Sequence, residues 1–395
     1  MSSSAETVIV GAGVEGLSVA WALSRRGERD ILVLERSVVG SGFTAKSSGI
    51  LRCHYGVRSL AAMAWRSLGV LEDATHHLEA DIGFHRTGYL VGVGPENLDV
   101  LCANVAMQRQ MGIEASVIKP QEALDLFPYM DIEGFEAFGF EPRGGYADAY
   151  QTAAAFARSA RRAGVDIRQG REVKRLAVSN GRINGVVTAD GEAIGAGRVV
   201  VAAGPWSAAL VGDVGVDLPL RAQREQLMIV DTGQELGPVP VLSDLVSLQY
   251  LRPELSRDLL LGNSDHHAPQ WVDPDDYENT LDEDYVFSAI ERFSRRFPSL
   301  NEASLSSSYA ACYDVTPDYN PVMSQSPIED LYLCAGFSGH GYKIAPAVGT
   351  LMADLMCHGA SRDPDVPAED FRFSRFAENR LLTSPRPYLG APEMR

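Results

Sequence analysis

No part of this sequence clusters Lys and Arg. With 52 acidic residues against 35 basic ones and a net charge of −17, it offers no surface suited to a phosphate backbone, which argues against nucleic acid as a partner. The acidity serves solubility. Long hydrophobic runs are also missing: the charge-free run from Val199 to Val211 is too short to cross a bilayer and is broken by Gly204 and Pro205. Met1 to Glu6 lacks the basic start and apolar core of a signal peptide. Cysteine is scarce, with Cys53, Cys102, Cys312, Cys334 and Cys357 never spaced as CxxC. That pattern excludes a disulfide framework and a zinc site and reads as reduced thiols, so a cytoplasmic protein with no membrane span and no metal is expected. The sequence has no internal repeat and no low-complexity segment. Its 45% apolar and 22% charged residues are ordinary globular composition. The 395 residues allow two or three domains, or one large interrupted one.

What is present begins at the N-terminus. Thr7 to Val10 is a β-branched apolar run with the pattern of a buried parallel strand. It leads into Gly11-Ala12-Gly13-Val14-Glu15-Gly16, then a helical pattern with Val14, Leu17 and Trp21 on one face, then a second strand, Ile31 to Leu34. Glu35 follows, close to the ~20 residues past the third glycine expected of a carboxylate that holds a ribose hydroxyl. Gly11 permits the tight turn and Gly13 lets a pyrophosphate approach the backbone. Gly16 lets the helix sit close on the strand, and the helix N-terminus faces the negative charge. The glycines alone are a weak signal; strand, glycines, helix, strand and acid in this order predict a dinucleotide site. The stretch Gly40 to Gly49 is small and hydroxyl-rich, able to wrap backbone and hydroxyl donors around a pyrophosphate and a flavin ring. Near the C-terminus, the strand Leu331 to Ala335 runs into the glycine-rich loop Gly336 to Gly341 and a helix striped with Val348, Leu351, Met352 and Leu355. Such a loop presents N–H groups and the positive end of a helix dipole to a cofactor that gains negative charge.

Five segments carry a family resemblance: the N-terminal unit, Ser47 to Tyr55, Val199 to Ser207, Tyr250 to Glu254, and Tyr313 to Asp318 leading to Gly336 to Lys343. The sequence resembles the D-amino acid oxidase superfamily of flavoproteins, and within it the sarcosine oxidase and dehydrogenase-like branch. The resemblance implies an α/β, two-domain α+β architecture: a Rossmann-like FAD-binding domain over 1–85, 145–215 and 325–370, interleaved with a mostly antiparallel-sheet substrate domain over 86–144 and 216–324, and a C-terminal tail over 371–395. Local patterns fit this. Thr152 to Arg162 reads as helix, and Asp166 to Gln169, Glu172 to Val178 and Ile183 to Thr188 read as strands, with Asn180-Gly181 as a hairpin turn. Short strands with turns are expected between 215 and 325, and the acidic stretch Asp273 to Asp284 is expected to be a solvated loop.

By resemblance, FAD is held by Gly11, Gly13, Gly16, Glu35, Arg36, Thr44, Ser47, Ser48 and Gly49. Val173 receives the adenine, and the set is completed by Ala203, Gly204, Trp206, Gly336, Ser338, Gly339, His340, Gly341, Tyr342 and Lys343. Arg52 and Lys343 align with the cations that hold a substrate carboxylate in sarcosine oxidase-like enzymes; an Arg fork fits a carboxylate in two hydrogen bonds and Lys adds a mobile charge. Tyr250 matches a tyrosine above the flavin. His54 and His340 read as structural or supporting histidines.

The departures bear on chemistry. The cysteine that bonds FAD in monomeric sarcosine oxidases is replaced by Ala311, with Cys312 one place later on the opposite strand face. The linking histidine of dimethylglycine dehydrogenase-like relatives is replaced by Lys46. Noncovalent FAD is therefore expected. The lysine that activates oxygen in the oxidases aligns with Leu260 and a nearby histidine with Ser264, although His266 and His267 lie close, so an acceptor other than oxygen is favoured. The implied reaction is hydride removal from the carbon beside an amine nitrogen, followed by imine hydrolysis, on an N-methyl or other secondary or tertiary amino acid. D-amino acids, glycine and 2-hydroxy acids are alternatives. So is a noncatalytic FAD-binding subunit or assembly factor, or one subunit of a hetero-oligomer that passes electrons to a redox protein.

Overall fold

The computed structural model describes residues 3–391. Met1 and Ser2 of the N-terminal segment and the last four residues of the tail lie outside the described residues. Two large sheets organise the chain. In the first, Leu331–Ala335, Ala193–Val201, Ser3–Val10, Ile31–Leu34 and Asp166–Arg168 lie side by side in parallel, and Val322–Gln325 adds an antiparallel edge. The inner strands read as continuous apolar runs because helices or a hairpin cover both faces. Ile9, Val33 and Val200 point into one core with the helices Val14–Arg25, Arg58–Leu71, Ala149–Arg162 and Gly341–His358. Val8, Val10, Val199 and Val201 point into another, under the hairpin Val173–Ser179/Arg182–Thr188. That hairpin turns through Asn180 and Gly181, both at positive φ (54° and 76°), as its twist requires.

The second sheet is mostly antiparallel. Its longest strands, Arg221–Asp231 and Ser304–Val315, pair along their length. Tyr89–Val93 and Ala137–Glu141 continue the sheet, so segments far apart in sequence share it. The fold is a mixed α/β, two-domain arrangement.

The region between 215 and 325 departs from the expected run of short strands. Glu283–Arg296 is a helix. Its acid-rich first turn disguised it as loop, yet Glu283 and Asp284 are favourably placed at a helix N-terminus. The preceding acidic residues are not merely solvated either, because Asp275 and Tyr277 fold against the first sheet's loops. Among the described residues, no helix is long and apolar enough to cross a membrane.

Candidate active site and cofactor cradle

A cavity of about 620 Å³ opens where the C-terminal ends of the parallel strands meet the second sheet; ligand pockets run to about 300–1,000 Å³. Its floor is the first glycine loop. Gly11 has φ +106°, and a Cβ there would lie 2.4 Å from the Ala202 carbonyl oxygen. Gly16 packs so closely that a Cβ would meet the Gly11 oxygen at 2.1 Å. Gly13 precedes the helix without a side-chain cap, while the Val14 N–H donates to the Thr44 hydroxyl at 3.1 Å. Glu35 accepts the Ala12 and Ser37 amides at 2.9 and 2.8 Å, which fixes the carboxylate at the end of the second strand.

Gly11, Gly13, Glu35, Arg36, Thr44, Ser47 and Ser48 line the cavity from this side, and Val173, Ala203, Gly204 and Trp206 line it from the neighbouring strand ends. Tyr250, Gly339, Gly341, Tyr342 and Lys343 complete the opposite wall. The remaining residues named from the sequence shape the wall without facing the cavity. Gly16 sets the helix approach, and Gly49, at φ +68°, passes against the Ala147 oxygen. Gly336 donates its amide to Asp314 at 2.7 Å, and the Ser338 hydroxyl receives the Thr316 amide at 3.3 Å. His340 precedes the C-terminal helix and shares a 3.3 Å hydrogen bond with the Tyr55 hydroxyl.

Lys343 is buried, and its ammonium donates to the Gly339 carbonyl at 3.3 Å. Burial and the nearby Arg52 charge pull its pKa well below the usual lysine range. Arg52 lies behind this wall rather than on it. Its guanidinium donates to the His54 carbonyl, stacks 4.4 Å from the Tyr55 ring, and faces Tyr89 at 5.8 Å. Glu141 contributes to its field and accepts the Cys53 amide at 2.8 Å. Tyr250 reaches the cavity because its strand neighbour is Gly262, where a Cβ would lie 2.1 Å from the Tyr250 ring. Tyr250 shares hydrogen bonds with Tyr313 and Ser48, and burial raises its pKa.

Ala311 and Cys312 both contribute to the wall, so strand alternation does not remove Cys312 from it. Burial pushes the Cys312 thiol up to about 12. Lys46 also lines the cavity, bound to the Tyr277 hydroxyl, the Asn279 side chain and the Ala310 carbonyl at 2.7–2.9 Å. Leu260 is buried beside Ala311 and Leu227, and it is Leu227 that lines the cavity.

Sequence reading missed the strap over the cavity mouth. Asp275 accepts from Arg36 at 3.0 Å and from the Trp206 indole at 2.8 Å. Arg36 lies 3.7 Å from the Trp206 ring centroid, and Phe43 stacks on Trp206 at 5.3 Å. The aromatic and acidic residues of this strap carry no motif; only the fold brings 275 beside 36 and 206.

A loop of closely packed glycines, an adjacent acid and two helix N-termini without side-chain caps fit a pyrophosphate-linked dinucleotide. The model of the family described as FAD dependent oxidoreductase, DAO, matches residues 6–355. The chain belongs to that family. It is 27% identical over 375 residues to the mitochondrial dimethylglycine dehydrogenase of Rattus norvegicus, covering 90% of this chain and 43% of that protein. The chain therefore spans less than half of that relative's length. It is 24% identical over 383 residues to sarcosine oxidase subunit beta of Rhodobacter capsulatus, covering 95% of this chain and 90% of that one. Among solved structures, the L-proline dehydrogenase from P. horikoshii superposes with a TM-score of 0.87 at 26% identity, over 96% of this chain and all of that one. This chain is thus an FAD-dependent oxidoreductase, with the α/β two-domain fold of amino acid dehydrogenases.

Proposed function

We propose that this flavoprotein oxidises the C–N bond of a small amine that carries a carboxylate, with N-methyl and other secondary or tertiary amino acids as the preferred class. The observation that carries this reading is Lys343, a buried lysine on the cavity wall whose cation is disfavoured until an anion arrives. A substrate carboxylate supplies that anion. Lys343 binds it directly, and Arg52 behind the wall strengthens the local positive field. The same field disfavours an ammonium on the substrate, so the amine enters its neutral, oxidisable form. Tyr250 and Tyr313 close the apolar side over the reacting carbon and exclude water. Bound FAD supplies the hydride acceptor; the glycine loop, Glu35, Arg36 and the strap around Trp206 hold it. The oxidised imine leaves to be hydrolysed by water.

The names of the relatives, one acting on dimethylglycine and one a subunit of sarcosine oxidase, favour N-methylated substrates and allow a hetero-oligomer. The cavity wall near Leu227, Leu260 and Ala311 is apolar, which favours an acceptor other than oxygen. The high thiol pKa of Cys312 favours noncovalent FAD. The test is anaerobic titration of the yellow protein with sarcosine, N,N-dimethylated amino acids, D-amino acids and 2-hydroxy acids. Bleaching by N-methylated amino acids is expected, with slow return of colour in air. Bleaching by another class alone overturns the substrate reading, and rapid return of colour in air overturns the acceptor reading. Colour that stays with the acid-precipitated chain overturns noncovalent binding.

A further inference from the structure

One carboxyl of the cavity has no task in this scheme. Glu15 occupies the first turn of the helix Val14–Arg25 and lines the cavity. Its side chain is half-buried, but both carboxyl oxygens are enclosed and neither has a hydrogen-bond partner among the described residues. Two other acids of the wall are engaged: the half-buried Glu35 accepts the Ala12 and Ser37 amides, and the buried Asp314 accepts the Gly336 amide. Glu15 Oε1 reaches to within 2.6 Å of where a Cβ on Gly341 would stand, so the carboxyl sits between the starts of two helices.

A buried carboxyl without partners is strongly disfavoured as an anion and poorly satisfied even when neutral. Such a group in a folded protein calls for a partner that the chain alone does not provide. The atoms that enter the glycine-loop end of this cavity, where Glu15 lies, are those of FAD. We propose that Glu15 is a redox-linked proton acceptor: its carboxyl hydrogen-bonds the bound cofactor and takes up a proton from solvent when the cofactor is reduced.

The groups that face it set the direction. Burial, with Asp314 from the strand Ser304–Val315 as a second acid, pushes the Glu15 pKa well above the usual carboxylate range. Cys334, from Leu331–Ala335, is a thiol raised by burial and therefore uncharged. Lys343, on the first turn of Gly341–His358, lines the same cavity, but its own ammonium is disfavoured. The two helix starts favour negative charge, yet they serve one anion better than two. At pH values where Glu15 is ionised beside oxidised FAD, reduction adds negative charge to the cofactor in this cavity and drives the carboxylate to accept a proton. The balance is simple. The substrate delivers two electrons and one proton as hydride to FAD; a separate proton passes from solvent to Glu15 and returns to solvent on reoxidation.

The inference rests on the FAD site and is tested without any amine substrate, so failure of the substrate reading leaves it standing. Holoprotein is photoreduced anaerobically, and the cofactor's midpoint potential is measured from pH 5 to 9 for the wild type and Glu15→Gln. Where Glu15 titrates, the wild-type potential should fall about 30 mV more per pH unit than that of the variant, the equivalent of one tenfold change per two-electron step. Equal slopes throughout overturn the proposal. Should the variant lose FAD, the wild type decides alone through its reduced-minus-oxidised infrared spectrum with 13C-glutamate. A protonated-carboxyl band that moves with the label supports the proposal, and absence of such a band across that pH range overturns it.

Discussion

Arg375 is wholly buried and holds both carboxylate oxygens of Asp318, at 2.8 and 2.9 Å. Asp318 ends the Thr316-Pro317-Asp318 turn that follows the strand bearing Ala311 and Cys312, and it also accepts the Leu382 amide at 2.9 Å. The C-terminal segment is thus tied to the turn beside the Gly336 to Gly341 loop. Arg375→Met should cost about 3–5 kcal/mol, because it leaves a buried carboxylate without its partner. Chemical denaturation measures this; a loss below 1 kcal/mol would mean that solvent reaches the site. Pairing the change with Asp318→Asn should recover part of the loss.

The strap predicts cofactor exchange. Asp275 joins Arg36 and Trp206 across the cavity mouth, but the ion pair is about half exposed, at 43% and 59%. Screening limits that pair to about 1 kcal/mol or less, and the indole hydrogen bond adds a similar amount. Asp275→Ala should therefore speed FAD dissociation about tenfold, since 1.4 kcal/mol is a factor of ten. Stopped-flow release into an apoflavoprotein trap reads this directly, and an unchanged rate would remove the strap from the exit path.

Carboxylate binding should depend on Lys343 and on pH. Lys343→Met should weaken a carboxylate analogue of the substrate on the order of 10²-fold, while FAD stays bound. The lysine pKa is depressed in the free site, so the anion binds together with a proton. Affinity should fall as pH rises through the pKa that Lys343 acquires in the complex. Flavin absorbance changes on titration give the dissociation constants, and an affinity independent of pH would detach Lys343 from the carboxylate.

Acid should unfold the protein partly through His54. Burial, with Arg52 close by, lowers its pKa to about 3, and its ring is enclosed by Tyr388 at 2.7 Å and Gln108 at 3.2 Å. The unfolded chain binds the proton at ~6.5, so the neutral ring's contribution is lost as pH falls from there towards 3, by about 1.4 kcal/mol per pH unit. Glu141 opposes this, because burial raises its pKa to about 7 and the folded chain then gains the proton first. His54→Gln should flatten the acid limb relative to the wild type; parallel curves would show that the ring titrates freely.

The glycine loop, its helix and Glu35 were legible because they are contiguous, and their spacing is dictated by the approach of a backbone to a phosphate. The C-terminal loop and Lys343 were legible for the same reason. Helix Glu283–Arg296 was hidden by its charge. Tyr313 was legible only as the start of a family segment, and its place against Tyr250 depends on a strand pairing with Arg221–Asp231. Arg52 was legible as a cation in an apolar motif, but its position behind the wall rather than on it depends on Tyr55, Tyr89 and Glu141, from three separate segments.

The sequence by itself determined the dinucleotide cradle, the parallel sheet that carries it and the family, because each rests on local backbone geometry and on apolar periodicity. The tertiary structure decided which side chains meet. Asp275 reaches Arg36, Glu15 is left without a partner between two helix starts, and Lys343 loses its water beside Arg52. Those outcomes depend on desolvation and on contacts between distant segments, and neither is encoded by the spacing of residues along the chain.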